Sequence, residues 1–85
     1  MPKWNVEQSH LIDHPSAIEA NNILQAVGWI RHRAAQPRKS PHQEPFGQIF
    51  VSVEEEGSLI RTHFINKHGD RQRFMRLRRQ DDAET

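Results

Sequence analysis

Arginines and aromatic rings share the C-terminal half of this sequence, and they are the side chains best suited to chemistry in it. Nine of the twelve cations are arginine, and five of those fall between Arg71 and Arg79. A guanidinium presents a planar fork of N–H donors that matches carboxylate or phosphate. Near these cations in the chain stand Phe50, His63 and Phe74. Single-stranded nucleic-acid platforms combine such groups, because bases stack on exposed rings at roughly 1–3 kcal/mol each while guanidinium groups neutralise phosphates. No glycine-rich phosphate loop, basic helix or RNP-like motif accompanies them, and an Arg-rich aromatic face suits a protein partner equally well.

Other chemistry is poorly provided for. Among the six histidines, His10 and His14 have the i, i+4 spacing of a metal pair only if that stretch is helical. Pro15 and Ser16 argue that a helix begins after them, and His32, His42, His63 and His68 are scattered, so no metal site is expected. Ser52, His63 and Glu54 fall on one sheet face. A flat solvated face lacks the oxyanion donors and the exclusion of water that a triad needs, and the chain is short for walling off a deep pocket. We therefore expect no enzyme, cofactor or metal.

Composition narrows the class further. At 85 residues the chain fits a single small domain over 1–80, with 81–85 as a disordered acidic tail. Its mean hydropathy of −0.89 asks for an economical, well-patterned core. The absence of cysteine fits an intracellular, cytoplasmic protein, and no apolar run reaches the roughly 18 residues of a membrane span. The net charge of +1 is too small for a dominant electropositive field, so electrostatics must come from local distribution.

The elements that would position these residues can be read from spacing. Ser16 and Glu19 form a capping box, and Ala20, Ile23, Leu24, Val27, Ile30 and Ala34 recur at helical spacing, predicting an amphipathic helix from Ser16 to about Gln36. Gly28 interrupts it at a cost of about 1 kcal/mol relative to alanine. Pro37, Pro41 and Pro45 make 36–48 a loop. Three alternating segments follow, Ile49–Glu55, Ser58–Asn66 and Arg71–Arg79, separated by glycine turns. The fold class is α+β, one amphipathic helix on a three-stranded antiparallel meander. Trp4, Val6, Leu11 and Ile12 either drape over the core or add an N-terminal edge strand, and the strand reading gives βαβββ order.

Two-residue turns at Glu56-Gly57 and His68-Gly69 fix the register. One face then collects Ile49, Val51, Val53, Ile60, Phe64, Met75 and Leu77, with Thr62 facing Met75 and Arg73 at its end. The other carries Phe50, His63 and Phe74 in one row, Ser52, Arg61 and Arg76 in the next, and Glu54, Leu59 and Arg78 in the third. Three-residue turns with a glycine bulge compete, but the slipped register would place Arg61 and His63 among apolar residues.

Two surfaces could therefore bind a partner. The first is the sheet face of Phe50, Arg61, His63, Phe74, Arg76 and Arg78, with Arg38 and Lys39 of the loop as auxiliary phosphate contacts. Its apolar members could instead be covered by the N-terminus or a second copy of the chain. The second is Trp29, placed opposite the helix's core stripe near Ile18, Asn22, Gln25 and Arg33, unless a loop folds over it. The expected function is a non-catalytic protein-interaction module, an adaptor, inhibitor or homodimer, with single-stranded nucleic-acid binding as the alternative.

Overall fold

The computed structural model describes residues 2–35, 46 and 48–80. The elements are β1 (Lys3–Ser9), β2 (Ala17–Glu19), α1 (Ile23–Ala35), β3 (Ile49–Glu54), β4 (Leu59–Ile65) and β5 (Arg71–Arg79). One helix packs on a five-stranded antiparallel sheet of order β2-β1-β5-β4-β3. The α+β class stands, but the sheet is wider than the expected three-stranded meander. The N-terminal segment supplies two strands, and β1 is internal, paired with β5 on one side and β2 on the other. Leu11 and Ile12 lie beyond β1, with Ile12 fully exposed. The expected loop over 36–48, apart from Phe46 and Gln48, and the tail 81–85 lie outside the described residues, as do Arg38 and Lys39.

The helix begins at Ile23, not near Ser16. Residues 17–19 instead pair with Lys3–Asn5, which sets Ile18 against Trp4, and the Trp4 indole N–H donates to Ala20 O at 3.3 Å. Burying both side chains outweighs the local helix signal of Ser16 and Glu19. Capping passes to the next matching pair: Gln25 N donates to Asn22 Oδ1 at 2.9 Å, and Asn21 N donates to Gln25 Oε1 at 2.8 Å. The buried stripe is also rotated from the expected one. Ala26, Ile30 and Ala34 are buried and Ile23 and Val27 half-buried, whereas Leu24 is 80% exposed. Trp29, expected on the outer helical face, is half-buried and packs against the core. It follows Ala26 by three positions and so shares its side of the helix. A methyl group at Gly28 would meet nothing within 4 Å, so no close approach requires that glycine.

Between β3 and β4 the register is the expected one, with Val53 opposite Ile60, Val51 opposite Thr62 and Ile49 opposite Phe64. Its turn has Ser58 N donating to Glu55 O at 3.1 Å, with Glu55, Glu56 and Gly57 all at positive φ, so the chain leaves the extended conformation one residue before a two-residue type I′ loop would while the register is kept. The second turn is different. Asn66 Oδ1 accepts from His68 N and Asp70 N, Gly69 N donates to Asn66 O, and Asn66 N donates to Asp70 O, closing a three-residue loop with Gly69 at φ 83°. Asparagine mimics a backbone turn in this way, and glycine takes the left-handed position without strain.

The extra turn residue shifts β5 by one position, pairing His63 with Arg73 and Ile65 with Arg71. A bulge at Phe74 and Met75, opposite Thr62, then restores the expected pairs Arg61–Arg76, Ile60–Leu77 and Leu59–Arg78. Both bulge residues turn inward and are buried in the core. Phe74, expected on the outer face, instead packs edge-on against Phe46 and Phe64, with centroids 4.7 and 6.1 Å away. Arg73, expected at the end of the core face, points out with His63. Thr62, the one buried polar side chain among the described residues, does not simply face Met75: its hydroxyl bonds to the bulged backbone.

Candidate binding face on the outer side of the sheet

The turn and the bulge together decide which side chains reach the face away from α1. A uniform register in either phase would send part of the β5 arginine set inward. With both offsets present, Arg71, Arg73, Arg76 and Arg78 share the outer face, because each pairs with an outward residue of β4: Ile65, His63, Arg61 and Leu59. On β3, Phe50, Ser52 and Glu54 continue the rows of His63, Arg61 and Leu59. On β1, Asn5 lies beside Arg78 and Gln8 beside Arg76, and the irregularity between Val6 and Gln8 carries Glu7.

Charge is distributed unevenly over this grid. Arg61 and Arg76 stand directly opposite one another, an arrangement that repels unless acids intervene. They do intervene. Glu54 pairs with Arg61 at 3.2 Å, Glu7 reaches Arg76 at 3.1 Å and Arg78 at 2.8 Å, and Glu55 reaches Arg78 at 2.6 Å. The Arg76 contact lacks the alignment of a hydrogen bond, whereas Arg78 hydrogen-bonds both carboxylates. These bonds, with the Arg78 charge, lower the Glu55 pKa, and the same two carboxylates raise that of Arg78. Leu59, in the same row, is fully buried.

The other end of the face is different. Among the described residues, no carboxylate pairs with Arg71 or Arg73. Beside them Phe50, 39% exposed, stacks on His63 with centroids 5.1 Å apart and planes 14° from parallel. Arg71 Nη2 lies 3.4 Å from His63 Nδ1. Burial and then the Arg71 charge lower the His63 pKa, which favours a neutral imidazole able to accept at Nδ1. Ile65, also exposed, lies opposite Arg71. A depression of roughly 410 Å³ opens on this face, lined by Arg61, Arg71, Arg73, Arg76, Ser52 and His63 among others.

Of the residues expected to form the face, Phe50, Arg61, His63, Arg76 and Arg78 lie there, while Phe74 and Trp29 belong to the core side. Arg61, Arg76 and Arg78 are tied to glutamates, so Arg71 and Arg73, the arginines of this face with which no carboxylate pairs among the described residues, are ones that alternation alone did not select. Their signal was Asn66 three residues before Gly69, the pattern of the turn that shifts β5. Ser52, His63 and Glu54 do not converge as a triad: Glu54 pairs with Arg61, and His63 is opposite Phe50 with its Nδ1 near Arg71. Among the described residues no group of three or more His, Asp or Glu could hold a metal ion, and no helix is long and apolar enough to cross a membrane. No family model, curated protein or solved structure matches this chain.

Proposed function

We propose that this chain is a non-catalytic binding module that takes a single-stranded nucleic acid on the outer face of its sheet. The observation that carries the reading is the placement of Arg71 and Arg73, without carboxylate partners among the described residues, beside the stacked rings of Phe50 and His63. A base can lie on the exposed ring while the guanidinium groups meet its flanking phosphates. The protein-interaction reading drew on apolar side chains that are withdrawn: Phe74 and Leu59 are buried and Trp29 packs against the core. What stays outside at this end is the pair Arg71 and Arg73 beside the Phe50 ring and Ile65, a cationic surface with a stacking ring that suits phosphate and base.

The test is a titration of a fluorescently labelled single strand at low and moderate salt. Binding should weaken with salt at a slope near −1.4 in log K against log salt, about −0.7 for each of two phosphates. Binding of an acidic peptide with none of the strand would transfer the face to a protein partner. Absence of strand binding at low salt would remove the proposal.

A further inference from the structure

We infer that the depression on the outer face takes the phosphorylated end of the strand and not its middle, a refinement that rests on the nucleic-acid reading above. Four arginines line it, Arg61, Arg71, Arg73 and Arg76; Arg61 pairs with Glu54 at 3.2 Å and Arg76 with Glu7 at 3.1 Å, while among the described residues no carboxylate pairs with Arg71 or Arg73. Arg73 and Arg76 flank the bulge, whose two side chains are buried in the core, so no side chain of β5 stands between them on the outer face. The hydroxyl of Ser52 and the amide of Gln8 add neutral hydrogen-bonding groups to the lining.

An internal phosphodiester carries one charge and two free oxygens, whereas a terminal phosphate monoester carries about −1.5 to −2 and three strong acceptor oxygens. Several guanidinium forks converging on one hollow match the monoester. The surroundings oppose a continuing backbone. Beyond the hollow, Glu7 pairs with Arg76 and Arg78 and Glu55 with Arg78, so a strand running on in that direction would carry its phosphates past Glu54 of the lining and then over two further carboxylates. On the other side the Phe50–His63 stack lies in the adjoining row, where the terminal base can rest. The hollow's roughly 410 Å³ falls within the size of small-ligand sites, about 300–1,000 Å³.

Fluorescence anisotropy decides the matter with four strands of one sequence: a hexamer with hydroxyl ends, the same hexamer with a 5′-phosphate, the same with a 3′-phosphate, and an octamer with hydroxyl ends as a control for added charge. One phosphorylated hexamer should bind about tenfold tighter than the hydroxyl-ended hexamer and tighter than the octamer. Arg73→Ala should erase that preference while Arg78→Ala keeps it, with Arg71→Ala as the second variant if the first fails to fold. Equal affinity for all hexamers overturns the end-binding site and leaves strand binding intact. Absence of binding by every strand overturns both.

Discussion

Thr62 Oγ1 lies 2.9 Å from both the amide nitrogen and the carbonyl oxygen of Met75, accepting from the first and donating to the second. One hydroxyl thus satisfies two backbone groups that the bulge takes out of the β4–β5 ladder, while Phe74 O accepts from His10 N at 2.6 Å. The bulge in turn sets which arginines face outward, so a buried threonine on β4 governs the composition of the opposite surface. Thr62→Val should leave both Met75 groups unpaired in the core and cost about 1–3 kcal/mol. Thr62→Ser should recover most of it. Urea denaturation of the two variants reads the difference, and a valine variant within about 0.5 kcal/mol of the parent would show that the bulge is held by something else.

The arginines of β5 should separate into two functional classes. Replacing both Arg71 and Arg73 with alanine should weaken strand binding at least tenfold at low salt and remove about 1.4 from the salt slope, because two phosphate contacts are lost. Thermal stability should barely change, since neither side chain pairs with a carboxylate among the described residues. Arg78→Ala should do the reverse, lowering stability modestly through its links to Glu7 and Glu55 and leaving the salt slope in place. Equal binding losses in the two variants would show that the whole face, and not one end of it, engages the strand.

The β3–β4 pairing was legible because alternation and the Glu56-Gly57 turn point to the same register, and every pair from Ile49–Phe64 to Glu54–Leu59 follows it. The β4–β5 pairing was legible only beyond Thr62. There the two offsets cancel, so Arg61–Arg76 and Leu59–Arg78 stand as alternation places them, while nearer the turn Phe74 and Arg73 exchange faces. Backbone hydrogen bonds accepted by the Asn66 side chain make one offset and a buried hydroxyl supports the other, and neither leaves a periodic trace. Strand β2 was hidden for a different reason. Three residues cannot display a period, and Ser16-x-x-Glu19 satisfies the same capping pattern as Asn22-x-x-Gln25, so only the contact of Ile18 with its partner strand decides between them.

That choice of helix start is measurable. Asn22→Ala removes the acceptor for Gln25 N and should destabilise the fold by about 1 kcal/mol. Ser16→Ala should have a much smaller effect, since it is the backbone carbonyl of Ser16 that receives Val6 N, and alanine keeps that carbonyl. Equal losses in both variants, read by chemical denaturation, would restore Ser16 as the cap.

Gly28 offers a stabilising substitution. Its position is exposed inside α1, and an added methyl would meet no neighbour within 4 Å. Gly28→Ala should therefore add about 1 kcal/mol, the helix-propensity difference, and raise the melting temperature by roughly 4–8 °C in a domain of this size. A melting temperature that fell would show that the fold needs glycine at this position.

His63 should give acid opposite effects on the free protein and on the complex. Burial and the neighbouring Arg71 hold its pKa below the ordinary 6.5, so as pH falls the unfolded chain takes up this proton before the folded one does. The unfolded state then binds more protons, and stability present above the ordinary value is lost as pH drops through it. A phosphate held by Arg71 and Arg73 reverses the local field, because it favours the imidazolium that the bare arginines disfavour. Binding should therefore take up a proton, and affinity for a strand should rise as pH falls from about 7.5 to about 5.5. A hydroxyl-ended strand is the right probe, since a terminal phosphate itself titrates near pH 6. His63→Gln should flatten both dependences together. An affinity that stays constant across this range while stability falls would place the bound phosphate away from His63, and so away from Arg71 and the Phe50 ring stacked beside it.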